Sequence, residues 1–529
     1  MLANLRKSFA NPISLFGMGL FILCCFFQSG PTYLLYLTVA QLVFVPVMLQ
    51  CIIALKRIEK CMIVLGMVGV ACISIWSAGW LSVLCAVLYL LSSCTIALIG
   101  IRRFLHRGFT NIAEITIDVA LIYVLVGGLW FFASISGIET GFSSIITWLT
   151  AIHFHYSGFL LNMSVGLFGR IGSESKWYSP IAIILMTGLM LVAMGITFSP
   201  IIEMISVVLY IGALYCFLVL VFRTKMARFQ GICLRLSMIT LCVTIIWSLL
   251  YAFGNLTFIH IVSITDMLAI HGLLNCILFG GFTVLAWVSQ TPESKQVEFT
   301  FSVSQIRGKL QTYEKTDWGL VDKLEDFCDT SKLPKSIVDF YEKTDSYRLY
   351  ASVQWRTWFK PLALIYKGFS RMMKQINLPF ARRKVEMTGE IVMVDALEDG
   401  RIKPRAWIRK INDETVFTAI YSKHKSDRTY MNIALPLPFS SMNGILALHE
   451  ENGKLHLTSN ASGDAGTYLA IKQFVFQLPI HEHFVIEETS PTTLTAVHNM
   501  HIFGIHFLRI DYEIGTRGQV PRPTFKVIG

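Results

Sequence analysis

Apolar residues dominate the first half of the chain and occur in long stretches rather than in short alternating runs. Ten stretches of about 17 to 26 residues are each long enough to cross the ~30 Å hydrocarbon core of a bilayer as a helix. They cover residues 11–28, 32–55, 61–78, 80–101, 109–134, 143–168, 178–198, 201–222, 231–253 and 262–288. The pattern predicts an α-helical polytopic membrane bundle of about ten transmembrane helices over residues 1–288.

The pattern changes to that of a soluble domain after Trp287. A polar linker at 289–303 precedes a segment at 304–383 that we predict to be helical, with helices at 304–327, 336–341 and 358–375. Residues 384–529 alternate apolar and polar positions between turn sequences, which predicts an antiparallel β-rich barrel or clasp in a cytoplasmic α+β domain. Strands are expected at 385–395, 404–411, 415–422, 429–434, 444–449, 454–459, 467–476, 483–488, 493–498 and 504–514.

Positive charge alternates between successive connections of the predicted bundle. Lys and Arg occur in every second connection, and the intervening connections contain neither. The positive-inside rule therefore predicts a multi-pass protein of the cell membrane with cytoplasmic N- and C-termini. Because topology explains most of the net charge of +11, we expect the lipid bilayer as partner and no nucleic acid.

A basic, aromatic-rich stretch lies between Ser346 and Val385, which contains no acidic residue. We expect its helix to bind anionic lipid headgroups at the membrane surface, because cations beside an apolar helix face favour that position. The residues concerned are Lys360, Lys367, Arg371 and Lys374. Alternatively, the apolar face packs against the domain's own sheet and the charges are solvated.

Ionisable side chains inside the predicted spans are the candidates for function, because such groups are unfavourable at membrane depth unless they pair, bind an ion or face water. Glu114 and Asp118 lie one turn apart on the fifth span, and His153, His155 and His271 lie near mid-membrane on the sixth and tenth spans. Further polar groups in or beside the spans are Glu203, Asp266 and Asn275.

Convergence of these groups would form a catalytic site or bind a metal. We predict Glu114, Asp118, His155 and His271 as acid/base groups, and the same four with His153 as ligands of a divalent transition metal such as iron, zinc or manganese. The alternative is buried hydrogen bonding that only stabilises the bundle. Residues two apart on a regular helix point about 200° apart, so His153 and His155 face the same ion only where the helix is distorted.

Haem and familiar soluble motifs are not expected. The string from Ala151 to Tyr156 resembles the haem-binding helix of the haem-copper oxidases over about six residues, but counterparts of that family's other ligands are absent. On a strand, His481 and His483 share one side, but no third ligand is identifiable in the sequence. No Walker loop, dinucleotide fingerprint or His-Glu-x-x-His motif occurs.

Six stretches carry a resemblance to a known family: 123–130, 150–159, 267–275, 340–344, 375–379 and 498–504. In these stretches the chain resembles the YndJ-like family of bacterial membrane proteins. The resemblance implies a polytopic bacterial membrane protein and supplies no established activity. Three functions stay open: a membrane-embedded enzyme acting on a lipid or apolar substrate, a proton-coupled transporter or lipid-handling protein, and a structural scaffold with a lipid-binding cytoplasmic domain.

Overall fold

The chain forms two compact units in the computed structural model. They are Met1–Phe104 with Asn111–Gln296, called here the membrane unit, and Leu105–Thr110 with Val297–Gly529, called the barrel unit. The structure describes residues 9–28, 30–76, 79–172, 175–259, 261–294, 299, 301–308, 310, 314–315, 319–373, 375–380, 383–412 and 414–517. The side chains of 314, 315 and 371–373 are outside that description.

The described part of the membrane unit contains ten helical elements. They are α1 Pro12–Phe27, α2 Thr32–Ile52, α3 Arg57–Ile75, α4 Trp80–Leu105, α5 Ile112–Ser136, α6 at 144–172, α7 Tyr178–Phe198, α8 Pro200–Arg223, α9 Arg228–Thr257 and α10 Ile264–Ser289. Eight are long and apolar enough to cross a bilayer, α1 has 16 residues, and α6 is interrupted by a wider turn. The predicted multi-pass helical bundle is confirmed.

Four stretches of π-helix interrupt α2, α6 and α10. They are Ala40–Phe44, Phe154–Leu161, Met267–Gly272 and Asn275–Gly280. A π-helical turn inserts an extra residue per turn and changes which face the following side chains present, and such turns are frequent at functional sites. His155 and His271 lie within two of these stretches, and His153 immediately precedes one.

The barrel unit is built on antiparallel strands. They are β1 Glu314–Lys315, β2 Tyr347–Trp355, β3 Lys384–Met393, β4 Ile402–Ile411, β5 Glu414–Lys425, β6 Thr429–Leu437, β7 Ser440–Glu451, β8 Lys454–Thr458, β9 Gly466–Ile471, β10 Phe474–Gln477, β11 Ile480–Ser490, β12 Thr493–Ile502 and β13 Ile505–Thr516. Ten of them close a ring in the order β2-β3-β4-β5-β6-β7-β8-β11-β12-β13, with β13 pairing again with β2. The predicted antiparallel barrel is confirmed.

The interior of this barrel is the core of the unit. Alternate residues such as Leu446, Leu457 and Ile486 point inward and are almost fully buried, as the two-residue period of a strand requires. A short helix, α11 Lys335–Glu342, buries Ile337 and Phe340 against the same core. Two further helical elements are α12 Lys360–Met373 and α13 Ala396–Asp399.

The structure differs from the sequence prediction in the first part of the barrel unit. The helix predicted at 304–327 is wrong: the described residues there form the short strand β1 and a 3₁₀ turn at Leu324–Asp326. The backbone N–H of Gln305 donates to the backbone carbonyl oxygen of Asp399 at 2.8 Å, and Ile306 joins an apolar cluster of the sheet. Contacts with the barrel therefore replace the hydrogen bonds of a helix. Strand β2 was not predicted.

Candidate functional site in the membrane unit

A pocket of about 290 Å³ lies among the helices of the membrane unit and is called here the membrane pocket. Its lining is mostly apolar and comes from α5 through α10. The polar side chains that define it are His153 on α6, Glu203 on α8, Asn255 on α9, and His271 and Asn275 on α10. A mostly apolar pocket with a few converging polar groups is the usual form of a site for a small molecule.

The two pocket histidines are held in the same way. Nδ1 of His153 lies 2.6 Å from the Leu149 carbonyl oxygen, and Nδ1 of His271 lies 2.8 Å from the Thr244 carbonyl oxygen. A carbonyl oxygen only accepts, so each Nδ1 carries the donated hydrogen. In the neutral ring the lone pair is then on Nε2, and such a backbone bond fixes both tautomer and ring orientation.

Glu203, Asn255 and Asn275 of the membrane pocket are held by hydrogen bonds. The Asn255 amide donates to both Glu203 carboxylate oxygens, at 3.1 and 3.3 Å. The Thr244 hydroxyl donates to Asn275 Oδ1 at 2.8 Å, so this threonine orients Asn275 with its side chain and His271 with its carbonyl. Helix α9 therefore fixes the positions of both α10 groups.

His155 faces away from the membrane pocket. Its Nδ1 donates to the Ala151 carbonyl oxygen at 2.8 Å, and its Nε2 accepts from the Tyr89 hydroxyl at 2.6 Å. The side chain is buried, and its ring stacks on that of Tyr89. Both ring nitrogens are thus engaged within the bundle, although α6 has the local distortion that a shared site with His153 requires.

Glu114 and Asp118 lie in a buried network of ion pairs. Arg170 donates to Glu114 through Nε at 2.7 Å and Nη2 at 2.9 Å, and Arg103 donates to the same carboxylate at 2.7 Å. Arg103 also donates to Asp118 at 2.8 Å, and the Ser294 hydroxyl donates to Glu114 at 3.0 Å. Two guanidinium groups thereby balance the charge of two carboxylates. The predicted acid/base and metal-binding residues therefore lie in three separate places: the membrane pocket, the contact with Tyr89 and this ion-pair network.

The other polar residues predicted from the sequence have local roles. Asp266 is exposed, and its carboxylate accepts from the Ser263 hydroxyl at 2.6 Å in a capping box at the start of α10. Lys360 and Lys367 lie on α12. Arg371 is on the same helix, but its side chain and all of Lys374 lie outside the described residues.

One group in the described part of the chain has three ligand atoms within 4.8 Å of one another, as a metal ion requires. It consists of His449, Glu451 and His456 on the outer side of the β7–β8 hairpin. Burial lowers the pKa of His456 and of the neighbouring His483, so both imidazoles favour the neutral form. The five residues predicted as intramembrane ligands do not form such a group.

Sequence reasoning missed the partners that position these groups. Asn255 and Thr244 are uncharged, so nothing in the sequence of their hydrophobic helix marks them as candidate site residues. Tyr89 is not part of a recognisable motif. Arg103 and Arg170 were interpreted as topology signals only. Both arginines lie at nearly the same membrane depth as acidic residues on a neighbouring span. That similar depth was the available indication that the arginines pair with the acids.

Comparisons with known proteins identify the family of this chain. The family model described as YndJ-like protein matches residues 35–279, a range that contains every polar residue of the membrane pocket. The chain is 38% identical over 448 residues to a relative from Bacillus subtilis (strain 168) described as uncharacterized membrane protein YndJ, with 79% of this chain and 81% of the relative covered. No solved structure matches. The chain is therefore a multi-pass membrane protein that belongs to the YndJ-like family.

Proposed function

We propose that the membrane pocket performs acid/base chemistry on an apolar molecule that enters it from the bilayer. The observation that carries this proposal is that two imidazoles from different helices, His153 on α6 and His271 on α10, line the same apolar pocket as the Glu203 carboxylate. Each imidazole is fixed through Nδ1, which leaves its Nε2 lone pair for a proton or a ligand.

Positioned imidazole and carboxylate groups are the common carriers of protons in enzymes, and each contributes roughly 10² to 10⁴ in rate. The apolar walls suit a lipid or another hydrophobic substrate. A volume of about 290 Å³ accommodates the reacting part of such a molecule rather than a whole phospholipid. Glu114 and Asp118 are left out of this proposal because two arginines neutralise them.

The same donors also suit zinc, iron or manganese in principle. If a metal were bound, Nε2 of His153, Nε2 of His271 and the Glu203 carboxylate would hold it. Acid/base chemistry is the better supported alternative, because the one group of three close ligand atoms among the described residues is His449, Glu451 and His456 and not these residues.

The test uses full-length protein reconstituted in vesicles of bacterial polar lipids. Mass spectrometry follows the lipid composition with time, and elemental analysis measures bound metal. We expect conversion of one lipid class by the wild type and a loss of roughly a hundredfold or more in His153→Gln, His271→Gln and Glu203→Gln. Glu139→Gln, which removes an exposed carboxylate from the α5–α6 connection, is the matched control.

Two results would reject acid/base chemistry. Stoichiometric metal that is lost in both histidine variants would replace it by a metal site. No lipid conversion in folded wild-type protein, together with absence of metal, would leave the membrane pocket without the proposed role.

We also propose that both termini and the barrel unit are cytoplasmic, and that α12 binds anionic lipid. Alternating Lys and Arg in the connections support the first statement. Exposed apolar residues on the cationic helix α12, including Leu364 and Phe369, support the second.

A further inference from the structure

The closed barrel surrounds a cavity of about 620 Å³, called here the barrel lumen. Its lining takes side chains from each of the ten strands of the ring and is mainly apolar, with Leu, Ile, Met and Phe residues. This volume lies within the ~300–1,000 Å³ that protein cavities use for whole small molecules.

Arg409 is the cation of the barrel lumen. It lies on the inward face of β4 with Trp407 and is only 9% exposed. Its guanidinium carbon is 4.7 Å from the ring centre of Trp407 and 4.0 Å from that of Phe417, and its Nε has no hydrogen-bond partner. Among the described residues no carboxylate lies within 4.0 Å of it, so this buried charge lacks an ion-pair partner.

Two tyrosines lie close to Arg409. Both Tyr512 and Tyr421 lie near enough to the guanidinium for its positive charge to act on their hydroxyls. Burial raises the pKa of Tyr421 to about 12 and also raises the pKa of Tyr512, so both hydroxyls keep their hydrogens and can donate.

The lumen's carboxylate has a different partner. Glu482 Oε2 lies 3.2 Å from His498 Nε2, and the Thr467 hydroxyl donates to Glu482 Oε1 at 3.4 Å. Glu482 therefore does not neutralise Arg409 by direct contact. The lumen combines apolar walls with one guanidinium and phenolic donors beside it.

We propose that the barrel lumen binds a long-chain carboxylic acid, whose carboxylate pairs with Arg409 and Tyr512 while its chain fills the apolar cavity. A guanidinium presents paired N–H donors that match a carboxylate, and such a contact is strong where water is excluded. A single acidic group on an otherwise apolar molecule matches the one guanidinium without a carboxylate partner in this mainly apolar cavity. This site is separate from the membrane pocket and does not depend on its proposed chemistry.

The test uses full-length protein in phosphatidylcholine nanodiscs and palmitic acid that carries a photoreactive diazirine on its chain. After irradiation, digestion and mass spectrometry locate the labelled residues. We expect labels on lumen-lining residues, and unlabelled palmitate should displace the probe at least tenfold better than hexadecanol, which has the same chain without the acid. A diazirine-bearing phosphatidic acid with two chains should not label the lumen.

Three variants separate recognition of the acid from filling of the cavity. Arg409→Gln should weaken binding of the probe roughly tenfold or more, because it removes a charge-assisted contact. Lys410→Gln removes the next positive charge on the same strand, which pairs with Glu390 at 2.8 Å and does not line the lumen, and should change binding less than twofold. Ala496→Phe fills the lumen and should block labelling while Arg409 stays in place.

Labelling confined to the membrane helices would overturn the proposal. Equal competition by palmitate and hexadecanol, or wild-type affinity in folded Arg409→Gln, would show that the lumen does not recognise the acid. If Arg409→Gln fails to fold, Tyr512→Phe and the wild-type competition still decide, since neither removes the buried charge.

Discussion

Gly127 has no side chain, and this allows α5 to pack closely against the ring of His155. A Cβ atom at this position would lie 2.7 Å from both Cε1 and Nδ1 of that ring. Gly127→Ala therefore forces the imidazole away from Tyr89 or moves the helices apart, and overpacking of this kind destabilises a protein by about 1–3 kcal/mol. We expect a lower midpoint of thermal unfolding for the variant, measured in nanodiscs.

Gly212→Ala is the matched control for that substitution. It also lies within a long apolar helix, α8, but a Cβ there meets no atom within 4 Å. Its unfolding midpoint should stay at or slightly above the wild-type value, because alanine favours a helix over glycine by up to ~1 kcal/mol. Equal midpoints for the two variants would mean that the contact with His155 does not limit stability.

The sequence predicted the membrane depth of individual residues but not the direction in which each side chain faces around its helix axis. It placed His153, His155 and His271 in the membrane, and helical geometry predicted that two histidines two residues apart face different surroundings. It could not say which one faces the membrane pocket, because the π-helical turn that begins at Phe154 leaves no clear mark in composition. The neighbour that each group meets depends on packing between distant helices.

At the scale of elements, the ion-pair network joins three helices. Arg103 is on α4, Glu114 and Asp118 are on α5, and Arg170 is on α6. The side chain of Glu114 is 0% exposed and that of Arg170 is 3% exposed. Glu114→Gln leaves two guanidinium groups with one carboxylate. Breaking a buried pair in this way destabilises a protein by about 3–5 kcal/mol, so we expect a sharply reduced folded yield and unfolding midpoint.

The double variant Glu114→Gln with Arg170→Gln restores the balance of charge. It should be more stable than Glu114→Gln alone, as expected when both partners of a buried pair are removed. Glu139→Gln is the control for loss of an exposed carboxylate and should match the wild type. A double variant whose loss of stability equals the sum of the single losses would indicate that the charges do not interact.

Helix α12 gives a second prediction at this scale. Leu364, Ile365 and Phe369 are 61%, 63% and 61% exposed beside Lys360 and Lys367. Such a helix gains by inserting its apolar face into a bilayer interface, and each cation adds ~1 kcal/mol at an anionic surface. Hydrogen exchange of peptide 358–373 should slow when phosphatidylglycerol is added to phosphatidylcholine nanodiscs, and Lys360→Glu with Lys367→Glu should remove the effect.

Helix α11 provides the comparison within the same protein, since Ile337 and Phe340 are buried in the barrel core. Its hydrogen exchange should be the same in both lipid mixtures. Equal exchange of α12 in the two mixtures would mean that its exposed apolar residues have another function.

Elements were predictable where one periodicity extended over a whole element. The long apolar stretches gave the membrane helices, and alternation gave the antiparallel strands β3 to β8 and β11 to β13. The single strand predicted at 467–476 is instead the hairpin of β9 and β10. Strand β2 also alternates, with Leu349, Ala351 and Val353 facing the core, but its basic residue, Arg348, was interpreted as part of a charged stretch.

Segment 304–327 was wrongly predicted as helix because it bonds to distant parts of the chain, which local pattern does not reveal. The backbone N–H groups of Gln305 and Gly308 donate to the carbonyl oxygens of Asp399 on α13 and Leu437 on β6.

At the scale of the whole molecule, the connections between helices carry the prediction of orientation. The connections after α2, α4, α6 and α8 each contain a Lys or Arg outside the helices. These residues are Lys56, Arg107, Lys176 and Lys225. The connections after α1, α3, α5, α7 and α9 contain no Lys or Arg. Positive residues stay on the cytoplasmic side of a membrane, so the first set of connections and both termini are expected there.

Reporter fusions test this orientation directly. Alkaline phosphatase is active only outside the cytoplasm, whereas green fluorescent protein is fluorescent inside it. Phosphatase fused after Ile138, in the α5–α6 connection, should be active, and phosphatase fused after Lys225 or at the C-terminus should be inactive. Fluorescent protein at the last two positions should give the opposite result. Active phosphatase at the C-terminus would place the barrel unit outside the cell, and the barrel lumen would then meet an extracellular ligand instead of a cytoplasmic one.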